Sequence, residues 1–221
     1  MSKFKKKNTS PWPTKAAMEQ VYEQHLWGGD EHDFYSGEGS HRPEIIEPYL
    51  KEVTSFLKSH QNKLSVCDLG CGDFNIGQQL LPYTSSYIAI DIVKDLISRN
   101  KIKFKNDDVE FHCLDIAKDE LPKADCAIIR QVLQHLSNTE IKAITKKLSN
   151  YKYVILTEHI PIGDFIPNID IISGQGIRLK HRSGVDILGA PFNFKVKSSK
   201  LLTEVLLGGK KGKIASYLIE L

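Results

Sequence analysis

The chain has 221 residues, a formal net charge of +3 at pH 7 and 41% apolar residues. This length is sufficient for one α/β domain with a full core and short for two. The weak positive charge does not indicate a dedicated nucleic-acid binder, and no apolar run reaches the length of a membrane span, so we expect a soluble, cytoplasmic protein.

Three segments precede the first predicted strand. Residues 1–13 are rich in lysine and contain two prolines, which predicts a mobile basic tail. In residues 14–60, apolar spacing predicts helices over 14–27 and 43–57, and Pro43 suits a first helical turn. The loop between the two helices is rich in glycine and polar side chains. Loops of this length in compact domains are often functional.

The cysteines do not indicate a metal site. Cys67, Cys71, Cys113 and Cys126 are not spaced as paired zinc ligands, and three of them fall inside predicted core strands. We therefore expect reduced thiols that pack as small apolar side chains, and no bound metal.

The stretch 64–77 predicts a strand, a tight turn and the start of a helix. An apolar run that begins at Leu64 ends at Gly70 and Gly72. Because glycine has no Cβ atom, the backbone of such a turn can adopt positive φ and approach a ligand closely. The turn is therefore a predicted binding site for a nucleotide-type ligand.

The side chains around this turn favour one of three such ligands. A dinucleotide-binding turn would have its third glycine where Asn75 stands, and the carboxylates of Asp68 and Asp73 would oppose a pyrophosphate. A P-loop requires Gly-Lys-Ser/Thr after its glycines, and none follows. Carboxylates beside exposed amides suit a ligand that has an ammonium, a sulfonium and a ribose but no phosphate. The predicted cofactor is S-adenosyl-L-methionine.

Asp68, Gly70 and Gly72 resemble motif I of the class I S-adenosylmethionine-dependent methyltransferases, in which an acid precedes three alternating glycines. Phe74 stands in place of the third glycine. Residues 133–137 and 190–193 look like those of a small bacterial-type subgroup of unassigned acceptor. The resemblance implies an α/β fold over 61–221: a Rossmann-like seven-stranded mixed sheet with helices on both faces and an antiparallel C-terminal hairpin.

By the same resemblance, the helical region 14–60 caps the ligand crevice. Its polar loop contains Tyr35, Ser36, Ser40 and His41, which are candidates to close over the cofactor or the substrate. An ordinary flexible connection is the alternative interpretation of this loop.

Two further predicted strands end in acids. Asp91 lies about 20 residues beyond the glycine turn, where a carboxylate can accept hydrogen bonds from both ribose hydroxyls. Asp115 lies where the resemblance places a carboxylate for the adenine amino group, and Ile92 and Ile116 would flank the base. Open parallel sheets bind ligands at the carboxyl edge of their strands, so successive acids there indicate one binding site.

The fourth predicted strand, 124–130, leads to the substrate side. We assign Arg130 to the cofactor site and Gln131 to the substrate, and either side chain can fix a carboxylate or a hydroxyl. His135, one helical turn later, is the candidate catalytic base, with a packing role as the equal alternative. The strand exit lacks the Asn/Asp-Pro-Pro-aromatic motif, which speaks against methylation of an exocyclic amine.

The last third of the chain contains the remaining substrate candidates. A fifth predicted strand, 151–157, ends at Glu158 and His159, although polar residues at strand ends often only bond to loop backbone. Residues 160–193 show little periodicity and are predicted to be a substrate-specificity insertion. Two β-compatible runs, 200–207 and 213–221, surround a glycine-rich turn and predict the hairpin.

These features predict a methyltransferase that moves a methyl group by in-line displacement to a small-molecule acceptor. Oxygen and nitrogen are the favoured acceptor atoms. Two alternatives stay open: an RNA or protein methyltransferase that docks through its basic segments, and a non-catalytic S-adenosylmethionine-binding module. Nucleic acid is thus an unsupported partner that is not excluded, and no membrane partner is expected. The acceptor, the need for a general base, the oligomeric state and the pathway are left open.

Overall fold

The computed structural model describes residues 12–30, 33–209 and 211–221. The predicted basic tail, 1–13, lies outside the described residues except for its last two positions. No described helix is both long and apolar enough to cross a membrane.

A seven-stranded sheet forms the centre of the protein, in the order β3-β2-β1-β4-β5-β7-β6. The first five strands in this order run parallel, and β7 is antiparallel to both of its neighbours. This confirms the predicted mixed sheet with its C-terminal hairpin. The strands are β1 (Ser65–Leu69), β2 (Ser86–Asp91), β3 (Glu110–Cys113), β4 (Cys126–Arg130), β5 (Tyr153–Ile160), β6 (Ser198–Leu206) and β7 (Lys213–Glu220).

The first two helices begin at their predicted starts, Thr14 and Pro43. Pro43 occupies the first turn of its helix, and Ser137 caps another through a capping box with Glu140. The helices are α1 (Thr14–Glu23), α2 (Pro43–Lys58), α3 (Gly77–Leu80), α4 (Lys94–Lys103) and α5 (Asn138–Leu148).

The alternation of side chains along the strands brings three charged residues to one side of the sheet. Val66, Ala89 and Ile128 lie in the core that α2 covers. Because side chains alternate with a period of two, the residues two positions further on occupy the same face at the carboxyl end of their strands. These residues are Asp68, Asp91 and Arg130.

The predicted helical cap divides into two parts. In α2, Tyr49, Val53 and Leu57 pack in the core with β1 and β4, so this helix is a layer of the α/β domain. Met18 and Tyr22 of α1 instead pack with Val93 and Leu96, beyond the edge of the main core. Of the predicted cap, it is therefore α1 and the following loop that lie over the carboxyl edge of the sheet.

The segment 160–193 connects β5 to β6 with little regular structure, and one 3-10 turn spans Arg178–His181. Asn168 holds the segment together. Its amide nitrogen donates to the carbonyls of Asp186 and Ala190 at 2.7 and 2.8 Å, and its amide oxygen accepts from the Asp186 N–H at 2.8 Å.

The cysteines lie in the sheet or beside it. Cys67 and Cys126 are buried in β1 and β4, and all four are free thiols. The described residues contain no group of three or more His, Cys, Asp or Glu side chains that could hold a metal ion.

Candidate active site

A cavity of about 490 Å³ lies at the carboxyl ends of β1, β2 and β4. Here the strand order reverses on either side of β1, which is the usual position of a ligand site in an open α/β sheet. The volume suits a small organic ligand. All residues predicted to bind the cofactor line this one cavity: Asp68, Gly70, Gly72, Asp73, Asp91, Ile92, Asp115, Ile116 and Arg130.

The glycine turn has the backbone conformation that its sequence predicts. Gly70 and Gly72 have φ values of 96° and 55°, in the region that favours glycine. The N–H groups of Gly70 and Cys71 both donate to the Ile90 carbonyl at 2.8 Å, which ties the turn to β2. A Cβ atom on Gly70 would overlap the side chain of Val132.

Phe74 explains how the turn works without a third glycine. Its backbone adopts φ 66°, a conformation that glycine would reach without strain. Its ring is fully buried and contacts the rings of Tyr87, Phe104 and Phe111, with centroids 5.6, 5.1 and 4.9 Å away. The chain therefore keeps a left-handed backbone at this position and uses the side chain as part of the core.

Asp91 accepts two backbone hydrogen bonds inside the cavity wall. The Gly72 N–H donates to Oδ2 at 3.1 Å and the Val93 N–H donates to Oδ1 at 3.0 Å. Burial raises the pKa of this carboxyl, although both bonds oppose the shift. Since a carboxylate has about four acceptor sites, part of its capacity is left for a ligand.

The other two strand-end acids have different surroundings. Asp68 is buried and accepts a hydrogen bond from the Tyr87 hydroxyl at 3.0 Å. Burial raises the pKa of Asp68 to about 7. Asp115 is half-buried, accepts from the Ala117 N–H at 3.0 Å and pairs with Lys118 at 2.9 Å. Asp68 is thus the most deeply buried of the three strand-end acids that a bound cation would meet.

Asp73 joins the glycine turn to the loop after α1. Its Oδ2 accepts from the Ser36 N–H at 2.8 Å and lies 2.6 Å from His41 Nε2, and its Oδ1 accepts from the Asn75 N–H at 3.1 Å. Its own N–H donates to the Ser36 hydroxyl at 2.8 Å. These bonds identify Asp73 as the residue that holds the loop closed over the turn.

The predicted closing residues divide between two cavities. Ser36 and Ser40 line the large cavity. Tyr35 stacks on His41 with ring centroids 4.3 Å apart, and both line a smaller cavity of about 340 Å³ on the other side of Asp73. Their rings therefore support the loop from outside the large cavity.

Arg130 closes the loop from the opposite side. Its guanidinium donates to the Ser40 hydroxyl at 3.1 Å and to the Gly39 carbonyl, and it lies 5.0 Å from the centre of the Tyr49 ring. Among the described residues, three buried polar atoms have no hydrogen-bond partner: Tyr49 Oη, Arg130 Nε and Gln131 Nε2. Because unpaired buried donors are costly, this corner is suited to a ligand that brings acceptor atoms or shifts the loop.

Comparison with known proteins identifies the class of this site. Residues 67–151, which contain the glycine turn and every strand-end acid described above, match the family model described as a methyltransferase domain. The chain carries a methyltransferase domain. A search of curated proteins finds no match.

Solved structures show the same fold over nearly the whole methyltransferase chain. Magnesium protoporphyrin IX methyltransferase from Synechocystis, with bound S-adenosylmethionine, has a TM-score of 0.61 at 16% identity and covers 96% of this chain and 99% of its own. The N-methyltransferase NodS from Bradyrhizobium japonicum, with S-adenosyl-L-homocysteine, has 0.64 at 13% identity, covering 92% and 98%. The predicted fold, family and enzyme class are confirmed, and the predicted cofactor agrees with them.

In the part of the cavity that is predicted to bind the substrate, His135 is buried and neutral. Its Nδ1–H donates to the Gly174 carbonyl at 3.1 Å, and its Nε2 accepts from the Gln134 amide at 3.2 Å. The ring packs on Trp27 with centroids 5.2 Å apart. Burial lowers the pKa of His135 to about 4. The imidazole lines the cavity, but its basic nitrogen is already hydrogen-bonded.

Glu158 and His159 do not line the cavity of the methyltransferase. Strand β5 runs on to Ile160 because β7 pairs with it, and Glu158 faces Ala215 across that pairing instead of standing at the strand's end. His159 Nε2 lies 2.5 Å from the Lys211 carbonyl. Neither residue is therefore placed to contact a ligand in this cavity.

The structure also brings residues to the methyltransferase cavity that the sequence interpretation left out. From α1 and the loop after it come Thr14, Met18, Tyr22 and Trp27, and from the segment 160–193 come Gln175, Gly176, Ile177 and Lys180. The helical period of α1 could have predicted the first group, because the apolar face of a helix packs against another part of the protein. The second group lies within the predicted substrate-specificity insertion, but without periodicity no local signal marks these individual residues.

Proposed function

We propose that this methyltransferase transfers a methyl group from S-adenosylmethionine to a small-molecule acceptor, at oxygen or nitrogen, by in-line displacement. The observation that carries the proposal is the convergence of the glycine turn with Asp68, Asp91 and Asp115 on one cavity. Acids at three neighbouring strand ends fit a cationic ligand that has a ribose and an adenine, and they oppose a phosphate.

Each donor-binding residue has a separate role in this proposal. The free acceptor positions of Asp91 would take the ribose hydroxyls, while Ile92 and Ile116 would enclose the adenine near Asp115. Arg130 would bind the methionine carboxylate through its guanidinium. Asp68 would favour the positive charge of the donor. The cofactor itself supplies an electrophilic methyl group on a sulfonium.

The covered cavity favours a small acceptor. Met18 and Tyr22 of α1, Ser36 of the loop and Gln175 of the segment 160–193 all line it, so chain lies over the site from two directions. The Gln175 amide also donates to the Leu26 carbonyl at 3.3 Å, which joins the two coverings. An RNA or protein acceptor would need this cover to open.

On the acceptor side, the chain would align the nucleophile and exclude water. Gln131, Gln134 and His135 present neutral amide and imidazole groups to the cavity. Because the basic nitrogen of His135 already accepts a hydrogen bond, the acceptor would be a nucleophile that reacts without proton removal by this residue. Alignment at short distance then supplies most of the rate enhancement.

The experiment measures methyl transfer from S-adenosylmethionine that is labelled in its methyl group. The acceptors come from a cell extract that is separated into three fractions: small metabolites, RNA and protein. The proposal expects enzyme-dependent label in the metabolite fraction. Label in the RNA or protein fraction alone would contradict a small-molecule acceptor and identify a macromolecular one. Calorimetric binding of S-adenosylhomocysteine with no label in any fraction would support the non-catalytic binding module instead.

A further inference from the structure

The turn 131–136 connects β4 to α5 and carries most of the acceptor wall. Gln131, Gln134 and His135 all line the cavity from this turn. Gln131 adopts φ 57°, so the chain bends sharply as it leaves the strand. A turn of this kind exposes backbone N–H groups on one side and carbonyls on the other, and both sets need partners when they are buried.

Glu158 provides the partners for the N–H groups. Its Oε1 accepts from the Leu133 N–H at 3.0 Å and its Oε2 accepts from the Gln134 N–H at 2.8 Å. The residue is 3% exposed and belongs to β5, a central strand of the sheet. One carboxylate thus anchors two consecutive amides of the turn to a rigid element.

Arg178 provides the partners for the carbonyls. Its Nη1 donates to the carbonyls of Leu133 and Gln134 at 3.1 and 3.3 Å, and its Nη2 donates to the Leu136 carbonyl at 2.7 Å and to Asn138 Oδ1 at 2.8 Å. The side chain is 1% exposed and comes from the segment 160–193.

We propose that Glu158 and Arg178 are positioning residues for methyl transfer, which hold the turn 131–136 from its two sides and so set the geometry of the acceptor wall. The inference rests on the proposed function only in taking this turn as the acceptor side. It assigns Glu158 to the reaction through the backbone and not through the substrate. It also gives the segment 160–193 a defined contribution to the site, through Arg178.

The cost of this arrangement argues against a role in packing alone. Glu158, whose pKa burial raises to about 8, and the Arg178 guanidinium are both buried around one short turn, where apolar side chains of similar volume would often give equal or greater stability. The bonds continue into the wall itself: the Gln134 side chain accepts from the His159 N–H at 3.1 Å and donates to His135, which donates in turn to Gly174. Displacement of the turn would therefore displace the wall side chains.

The test compares Glu158→Gln with Glu204→Gln, the same substitution at an exposed carboxylate of β6 that pairs with Lys213. Three quantities are measured in each variant: calorimetric affinity for S-adenosylhomocysteine, the tautomer and titration of His135 by nitrogen NMR, and label transfer to the metabolite fraction. Wild-type amide exchange at Leu133 and Gln134 is measured as well, so the proposal is tested even if Glu158→Gln does not fold.

We expect Glu158→Gln to keep its affinity for S-adenosylhomocysteine within about threefold, because the donor half of the site is built elsewhere. His135 should titrate closer to its ordinary pKa, and label transfer should fall by about tenfold or more, since small misplacements of reacting groups are costly. Arg178→Met should act in the same direction, and Glu204→Gln should change none of the three.

Unchanged His135 titration and label transfer in a folded Glu158→Gln protein would overturn the proposal, as would unprotected amides at Leu133 and Gln134 in the wild type. A parallel loss of cofactor affinity, stability and label transfer in Glu158→Gln would also overturn the proposal, because it would show that Glu158 supports the fold as a whole. If the wild type fails to bind S-adenosylhomocysteine, the proposed function fails, while the amide exchange and the His135 titration still test the clamp on the turn.

Discussion

The two halves of the cavity are built in different ways. On the donor half, each strand runs directly into the residues that line the site, so that β1 leads to Gly70 and β2 ends at Asp91. On the acceptor half, Trp27, Gln131 and Gln175 come from three distant parts of the chain. The donor half is thus specified by local sequence, and the acceptor half by long-range packing.

The two halves also differ in charge. The acids that β1, β2 and the turns after β1 and β3 bring to the cavity lie on the donor half, together with Arg130 of β4, whereas the segment 160–193 brings Lys180 to the acceptor half. Glu140 is the acid on the acceptor side, and it accepts hydrogen bonds from Thr14, Ser137 and Ser173. Apart from Arg130, the cavity would therefore offer a negative surface to the proposed donor, while its acceptor half carries one acid and one cation.

The largest expected effect concerns the frame of the donor half. Phe74→Gly should lower the free energy of unfolding by about 3 kcal/mol, because loss of a buried ring costs ~3–5 kcal/mol and relief of the left-handed backbone returns ~1–2 kcal/mol. Asn193→Gly is the matched control, because Asn193 is exposed and has φ 47°. This variant should show only the gain in stability from relief of the left-handed backbone. Denaturant unfolding measures both. Equal stability of Phe74→Gly and wild type would contradict the role of the ring.

The next effect tests the charge of the donor half. Asp68 has a pKa of about 7, so it is mostly protonated at lower pH and ionised at higher pH. A bound sulfonium favours the ionised form, and the affinity for S-adenosylmethionine should therefore rise by up to about tenfold between pH 6 and pH 8. S-Adenosylhomocysteine lacks the sulfonium charge and should show a smaller rise.

Asp68→Asn provides the control for this pH dependence, because the amide does not titrate while the amino group of each ligand still does. The difference between the two ligands should shrink in this variant. A pH profile that is the same for Asp68→Asn and wild type would exclude Asp68 as its source. In the absence of ligand the same raised pKa acts on folding: the contribution of Asp68 is greatest below its unfolded pKa and declines as pH rises toward 7.

The smallest effect belongs to the acceptor half. His135→Asn keeps a donor for the Gly174 carbonyl, and label transfer should fall by less than about tenfold, whereas removal of a general base typically costs ~10²–10⁴. His159→Asn, outside the cavity, is the matched control and should transfer label at the wild-type rate. A loss of more than a hundredfold in His135→Asn alone would restore the histidine as catalytic base, on the same scale.

This contrast explains what the sequence could predict. The strand-end acids could be predicted from the sequence because each follows an apolar run. In a parallel sheet, the carboxyl ends of the strands share one edge, so acids at these ends lie at the same edge. The end of β5 could not be predicted from the sequence. The strand extends past Glu158 because it pairs with β7, about fifty residues later. Likewise nothing local shows that Tyr35 and His41 lie behind Asp73, or that Arg178 crosses to the turn after β4.

The most direct test of the account is the calorimetric affinity of S-adenosylmethionine for Asp91→Ala and for Asp108→Ala, an exposed acid before β3. Because Asp91 would accept charge-assisted hydrogen bonds from the ribose, its loss should cost ~1.5–3 kcal/mol, or roughly ten- to a hundredfold in affinity. Asp108→Ala should bind as wild type. Unaltered affinity in a folded Asp91→Ala protein would contradict the assignment of this cavity to the methyl donor.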